Sequence, residues 1–140
     1  DGGNDGMDIA LCVIYPQQSK LVFTSARRPL WLLRDGAIAE TKGDRHPVGG
    51  KLDQERNFSD HHIDLEKTDT LFFFTDGYAD QFGGQEGKKY QTGRMKKNIV
   101  AAASDTLDEL RIKIENDWND WRGVLEQVDD VLVIGISRVC

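Results

Sequence analysis

The sequence predicts an α+β domain, and three observations carry that expectation. Apolar runs separated by short polar turns fill the first half, apolar residues three and four apart fill much of the second, and a final apolar run returns as a strand. The chain is 140 residues long, enough for one unit with a real core but not comfortably for two, and residues 1–140 are read as a single unit.

Residues 9–15, Ile-Ala-Leu-Cys-Val-Ile-Tyr, are apolar on both faces and predict a buried strand. The turn Pro16-Gln17-Gln18-Ser19 and a strand over 21–24 make it a hairpin. A second hairpin is signalled more strongly: Leu30-Trp31-Leu32-Leu33-Arg34, then Asp35-Gly36 as a two-residue type I′ turn, then Ala37-Ile38-Ala39-Glu40. Residues 41–56 are polar, contain Pro47 and Gly49-Gly50, and read as a loop, after which 58–65 and 70–75 return as strands. Residues 81–89 are glycine-rich, but their spacing matches neither phosphate-cradling fingerprint, so a flexible surface loop is expected. Met95, Ile99, Val100 and Ala103 recur at helical spacing. In the next helix Thr106 and Glu109 form a capping box, Leu107, Leu110, Ile114, Trp118 and Trp121 share one face, and Gly123 stands at the C-terminal cap. That aromatic stripe reads as core.

Lysine and arginine total 18 against 24 aspartates and glutamates, a net charge of −6. No basic stripe is available to displace phosphate counterions, so nucleic acid is excluded as a partner. Cys12 and Cys140 have no metal-ligand spacing and predict a reduced, cytoplasmic setting. No run is apolar enough to span a bilayer. The first residue is Asp1, not Met, which suggests a piece of a longer protein, one whose other parts include room for a membrane anchor.

Two short stretches carry the chemistry. Leu71-Phe72-Phe73-Phe74-Thr75-Asp76-Gly77 ends a buried strand in a carboxylate, and Asp129-Asp130 opens the last apolar run. If the two strands are neighbours the carboxylates converge, and clustered carboxylates favour a hard cation such as Mg²⁺ or Mn²⁺. Each motif taken alone also reads as structure: Asp-Gly as a turn, an acidic pair as a solvated loop. The residues by themselves leave both readings open.

The order of the pieces adds to this. Asp5-Gly6-Met7-Asp8-Ile9-Ala10-Leu11-Cys12, Ala26 with Pro29-Leu30, Pro47-Val48-Gly49, residues 74–84, Lys88-Lys89-Tyr90 and Val128-Asp129-Asp130 run nearly end to end. Together they resemble the C-terminal part of the protein phosphatase 2C-like (PPM) family, in its bacterial stage II sporulation protein E branch. The resemblance implies part of an α-β-β-α sandwich, two antiparallel sheets covered by helices. It also implies hydrolysis of phosphoserine or phosphothreonine by water activated on two Mn²⁺ or Mg²⁺ ions. Asp76 and Asp129 match the family's catalytic metal ligands, with Gly77 and Asp130 supporting them. By family analogy the partner is a phosphorylated regulator of the anti-sigma-antagonist kind.

The family's earlier acidic residue and its Asp-Gly-His-Gly-like segment have no counterpart here, so the chain is expected to hold a partial metal site and to be inactive alone. Half a sandwich leaves an apolar sheet face open, which predicts self-association. Ser25-Ala26-Arg27-Arg28-Pro29 departs from the usual Ala-Gly followed by His or Asn; Arg27 and Arg28 have the charge to steer a phosphoprotein, but are expected as an exposed rim pair. His46, His61 and His62 fall outside any motif and are expected at the surface, the last two on opposite faces of a strand. A haloacid-dehalogenase-type phosphatase would need an aspartate where Phe74 stands, and a phosphoacceptor receiver would need its acidic pair early on a parallel sheet. A non-catalytic phosphatase-like module for binding or signal relay remains the alternative.

Overall fold

A computed structural model describes residues 5–50 and 55–137. Strands β1 (Gly6–Met7), β2 (Ile9–Tyr15), β3 (Lys20–Ala26), β4 (Leu30–Arg34), β5 (Ala37–Thr41), β6 (Val48–Gly49), β7 (His61–Asp64) and β8 (Thr70–Phe74) come first. Helix α1 (Asp76–Asp80), the short strands β9 (Phe82–Gly83) and β10 (Lys88–Lys89), helices α2 (Thr92–Ala101) and α3 (Leu107–Arg122), and strand β11 (Val133–Ser137) follow. Two larger antiparallel sheets run in the orders β2-β3-β7 and β11-β8-β4-β5.

The alternation of side chains along a strand explains the layering. On β4 and β8, Leu30, Leu32 and Leu71 turn toward the first sheet and meet Leu21, Phe23 and Leu65, whereas Trp31, Leu33, Phe72 and Phe74 turn toward the helices and meet Met95, Ile99, Leu110, Ile114 and Trp118. A strand buried on both faces must be apolar throughout, which is why these two read as unbroken hydrophobic runs. Leu21, Leu30 and Leu71 expose no surface, and burying each such side chain contributes about 1.5–3 kcal/mol. The layers are therefore sheet, sheet and helix, an α+β arrangement with one helical face.

Strand β2 departs from expectation. Its burial alternates: Ala10, Cys12 and Ile14 pack inward while Ile9, Leu11, Val13 and Tyr15 lie exposed. It is an edge strand with its outer face open, so its apolar pattern does not mark burial on both sides. Among the described residues the expected helical cover is present on one sheet only.

The Asp35-Gly36 turn has φ of 49° and 74° at its two residues, as a type I′ hairpin requires. Within the expected loop over residues 41–56, of which 51–54 lie outside the described residues, β6 pairs with β1, matching Gly6 to Gly49 and Met7 to Val48, and Ala26 bridges to Asp44. The strand expected over 58–65 is confined to β7. There His61 and His62 do face opposite ways, but the His61 ring is half-buried beside Phe23, with ring centroids 6.1 Å apart. The expected mobile loop over 81–89 is instead the β9–β10 hairpin, held because the Gly84 amide donates to the Trp121 carbonyl (2.7 Å) and Lys89 pairs with Asp80 (2.9 Å).

Helix α3 begins as its capping box dictates: the Thr106 hydroxyl accepts from the Glu109 amide (3.3 Å) and the Glu109 carboxylate accepts from the Thr106 amide (2.9 Å). Gly123 caps its end with φ of 57°. On α2 the buried residues are Met95 and Ile99, joined just past its end by Ala102, while Val100 and Ala103, which share the helical spacing, lie exposed. Arg94 joins the helices through two hydrogen bonds to Asp117 (2.6 and 2.9 Å), to which Asn98 (2.8 Å) and the Tyr90 hydroxyl also donate. Among the described residues no helix is long and apolar enough to cross a membrane.

Candidate metal-binding site

Strands β8 and β11 are antiparallel neighbours, with Phe74 opposite Val133 and Thr70 opposite Ser137. The end of one motif therefore meets the start of the other. The Thr75 amide donates to the Leu132 carbonyl (3.0 Å), and the Thr75 hydroxyl donates to the Asp130 carbonyl (2.8 Å) while accepting from the Leu132 amide (2.9 Å). One residue further along the chain than Asp76, Gly77 presses on the same segment: a Cβ there would lie 2.3 Å from the Asp130 carbonyl oxygen. Asp76 thus sits between two residues that both grip residues 129–132.

Asp76 is not a bare strand tip; it is the first residue of α1. That short helix is anchored from behind, where the Tyr78 hydroxyl donates to the Ile114 carbonyl (2.8 Å) and the Trp118 indole donates to the Tyr78 carbonyl (3.0 Å). Burial, and then the neighbouring Tyr90, push the Tyr78 hydroxyl pKa well above the usual tyrosine range, so it stays a neutral donor. The helix core therefore fixes where Asp76 points. Its carboxylate is open to solvent, as are Asp129 and Asp130. Asp129 turns one carboxylate oxygen back to accept from the Asp130 amide (2.7 Å), and its carbonyl accepts from the Gln127 side chain (2.8 Å).

Asp76, just past the end of β8, and Asp129, in the segment that precedes β11, each offer an exposed carboxylate of the hard oxygen kind that Mg²⁺ and Mn²⁺ prefer. Among the described residues no three His, Cys, Asp or Glu side chains group closely enough to hold a metal ion. The donors fit such an ion in kind and would supply part of its coordination shell.

The family model for stage II sporulation protein E matches residues 3–139. The chain belongs to this family. Among solved structures, the SiaA-PP2C domain of Pseudomonas aeruginosa superposes with a TM-score of 0.84 at 24% identity, over 93% of this chain and 51% of that one. The phosphatase domain of the cell fate determinant SpoIIE from Bacillus subtilis gives 0.68 at 14% identity, over 94% and 58%. The PPM Ser-Thr phosphatase MsPP from Mycobacterium smegmatis, solved with cacodylate, gives 0.57 at 17% identity, over 94% and 62%. The fold is that of the PP2C phosphatase domain, and this chain spans about half the length of the first of these structures. No curated protein matches the sequence.

In this stage II sporulation protein E family member Asp8, Arg27 and Arg28 also come to the site; the sequence offered the two arginines a role in steering a phosphoprotein but favoured an exposed rim pair. Arg28 is not an exposed rim residue: its side chain is 21% exposed and its Nη2 lies 3.4 Å from Asp76 and 3.5 Å from Asp8. Arg27, which is exposed as expected, reaches Asp8 at 3.7 Å. The signal was in the hairpin register. With Ile9 opposite Ala26, Asp8 falls opposite Arg27 at the open end of the β2–β3 pair, next to Arg28.

Proposed function

We propose that the chain is the C-terminal part of a metal-dependent serine/threonine phosphatase that works in the cytoplasm, free or as part of a longer anchored sensor, and acts on a phosphorylated regulatory protein of the anti-sigma-antagonist kind. Family membership supports the phosphatase, and the manganese-presoaked SpoIIE phosphatase domain from Bacillus subtilis supports the metal. The observation that supports the assignment of residues is the contact of Thr75 and Gly77, on either side of Asp76, with the backbone of residues 129–132.

Asp76 and Asp129 would hold the metal, with the remaining ligands supplied from outside the described residues. A bound Mn²⁺ or Mg²⁺ activates water and offsets charge on the phosphoryl oxygens. Gly77 and Asp130 keep the two carboxylates at a fixed spacing through backbone contact, and the α1 anchor keeps Asp76 from swinging away. Fixed positioning of this kind is where such chemistry obtains much of its rate.

In the longer protein, Mn²⁺-dependent hydrolysis of a phosphoserine peptide should be abolished by Asp76→Asn and by Asp129→Asn, with far-ultraviolet circular dichroism unchanged. Activity indifferent to both substitutions would overturn the residue assignment. The second reading is a phosphatase-like binding module. In that case phosphopeptide binding survives both substitutions and no turnover accompanies it.

A further inference from the structure

Arginines make two kinds of contact in this chain. Arg34 holds the fully buried Asp69 through two hydrogen bonds of 2.6 and 2.7 Å, and Arg94 holds Asp117 through two of 2.6 and 2.9 Å. These are the short, paired contacts of a guanidinium whose work is structural. Arg28 is different. Its contacts to Asp8 and Asp76 are single and long, 3.5 and 3.4 Å, both from the same Nη2, and its buried Nε has no hydrogen-bond partner among the described residues. A buried donor without a partner costs roughly 1–3 kcal/mol. Arg28 is held in place, yet part of its hydrogen-bonding capacity, the Nε, is not used.

The segment that presents it is built at a cost as well. Arg27 has φ of 63°, a left-handed conformation that disfavours side chains carrying a Cβ. The turn is pinned by the Ser25 hydroxyl, which accepts from the Arg28 amide (3.0 Å) and donates to the Arg28 carbonyl, and by the Arg27 amide donating to the Asp44 carbonyl (2.8 Å). Strain held by its surroundings clusters where a side chain must be aimed. Here it aims two guanidinium groups at the carboxylate edge of a chain whose net charge is −6.

We propose that Arg28 contacts the phosphoryl group of the substrate beside Asp76, with Asp8 as its positioning residue. This rests on the phosphatase reading above. A guanidinium matches a phosphoryl oxygen pair in shape and donor count, and an unsatisfied, desolvated one gains most from such a partner. Asp8 contacts both arginines, at 3.7 Å from Arg27 and 3.5 Å from Arg28 Nη2, so it restrains Arg28 while leaving its Nε unpartnered among the described residues. A phosphorylated side chain at this edge then meets an anion-binding fork in an otherwise acidic surface.

Equilibrium titration of the longer protein with inorganic phosphate in Mn²⁺ tests this without relying on turnover. Arg28→Gln should weaken phosphate binding at least tenfold while leaving Mn²⁺ affinity unchanged; Arg28→Lys should recover part of the loss. Asp8→Asn should weaken phosphate binding about threefold, with no change in melting temperature. The exposed helix residue Arg111, paired with Glu115, serves as the charge control, and Arg111→Gln should change nothing. Wild-type phosphate affinity in Arg28→Gln, or a loss that only follows a loss of Mn²⁺, would overturn the proposal and leave Arg28 as an ion-pair partner of Asp76. A wild-type protein that binds phosphate through Arg28 but turns over no phosphoserine peptide would uphold Arg28 and remove the phosphatase reading.

Discussion

Gly77 lies directly against the Asp130 carbonyl, so close that a methyl group at position 77 would stand 2.3 Å from that oxygen and 2.9 Å from its carbon. The neighbouring atoms are backbone and cannot rotate away. Gly77→Ala should therefore push residues 129–130 off the end of β8, at about 1–3 kcal/mol for an overpacked contact. The expected outcome is a lower melting temperature together with weaker Mn²⁺ binding, since the displaced segment carries Asp129. A variant that melts like wild type and binds metal equally would show that the contact does not set the spacing.

Thr75 makes the polar half of the same lock. Thr75→Val keeps the shape but leaves the Leu132 amide without its side-chain acceptor and the Asp130 carbonyl without its donor, a loss of about 1–3 kcal/mol. Thr75→Ser keeps both bonds and should stay within about 0.5 kcal/mol of wild type. Hydrogen exchange at the Leu132 amide is the direct readout, expected to quicken in Thr75→Val alone.

Metal binding by the 140-residue chain should be weak, because Asp76 and Asp129 leave most of the shell to water. Asp76→Asn should remove what binding there is. Titration calorimetry decides the matter: sub-micromolar Mn²⁺ affinity, lost in Asp76→Asn, would mean that the chain carries a complete site.

Asp117 predicts a distinct dependence on pH. The hydrogen bond from Arg94, then those from Tyr90 and Asn98, lower its pKa against the opposing effect of burial. A carboxylate whose folded pKa lies below its unfolded value of about 3.9 adds stability above that value, and loses it as pH falls through the folded pKa. Asp117→Asn should thus be less stable than wild type by about 1–2 kcal/mol near neutrality, and the difference should close as acidification protonates the folded-state carboxylate. Asp69 titrates in the same sense: burial raises its pKa, but Arg34 and the Glu66 amide together lower it further. Denaturant midpoints across pH separate the two. A difference that stays constant into acid would contradict the network as described.

The open face of β2 bears on association. Ile9, Leu11, Val13 and Tyr15 are each at least 40% exposed and lie on one side of an edge strand. A contiguous apolar strip of this kind favours association. Light scattering should find the chain self-associated, and Leu11→Lys with Val13→Lys should return it to monomer. A stable monomer at high concentration would count against this role for the strip.

Local chemistry was legible in the sequence, and layer membership was only partly so. The capping box at Thr106 and the turn at Asp35-Gly36 follow from short-range rules, and both took the expected form. The same dipeptide at Asp76-Gly77 looked identical on paper. Gly36 has open space around it and is required for its positive φ, whereas Gly77 is required because a backbone from a distant residue passes against it. That second reason exists only after β11 pairs with β8. Strand β2 misled for a related cause: an apolar run implies two buried faces only when both faces have partners. Arg28 was visible as a departure from the family pattern, but its approach to Asp76 depends on how the β2–β3 pair meets the end of β8.

Gly83 repeats the crowding of Gly77 at the other end of α1, since a Cβ there would fall 1.9 Å from the Trp121 carbonyl oxygen. Between these two glycines the chain cannot change length, because both anchors are backbone seats that admit no shift in register. A residue added or deleted inside that window would rotate Asp76 off the sheet edge or lift the hairpin from α3. The tip around Gly87, which meets nothing within 4 Å, is where the segment can absorb insertions. Length variation among descendants of this chain should accordingly collect at residues 85–87 and stop at Gly83, giving the 77–83 interval the fixed span of a ruler in a neighbourhood otherwise free to drift.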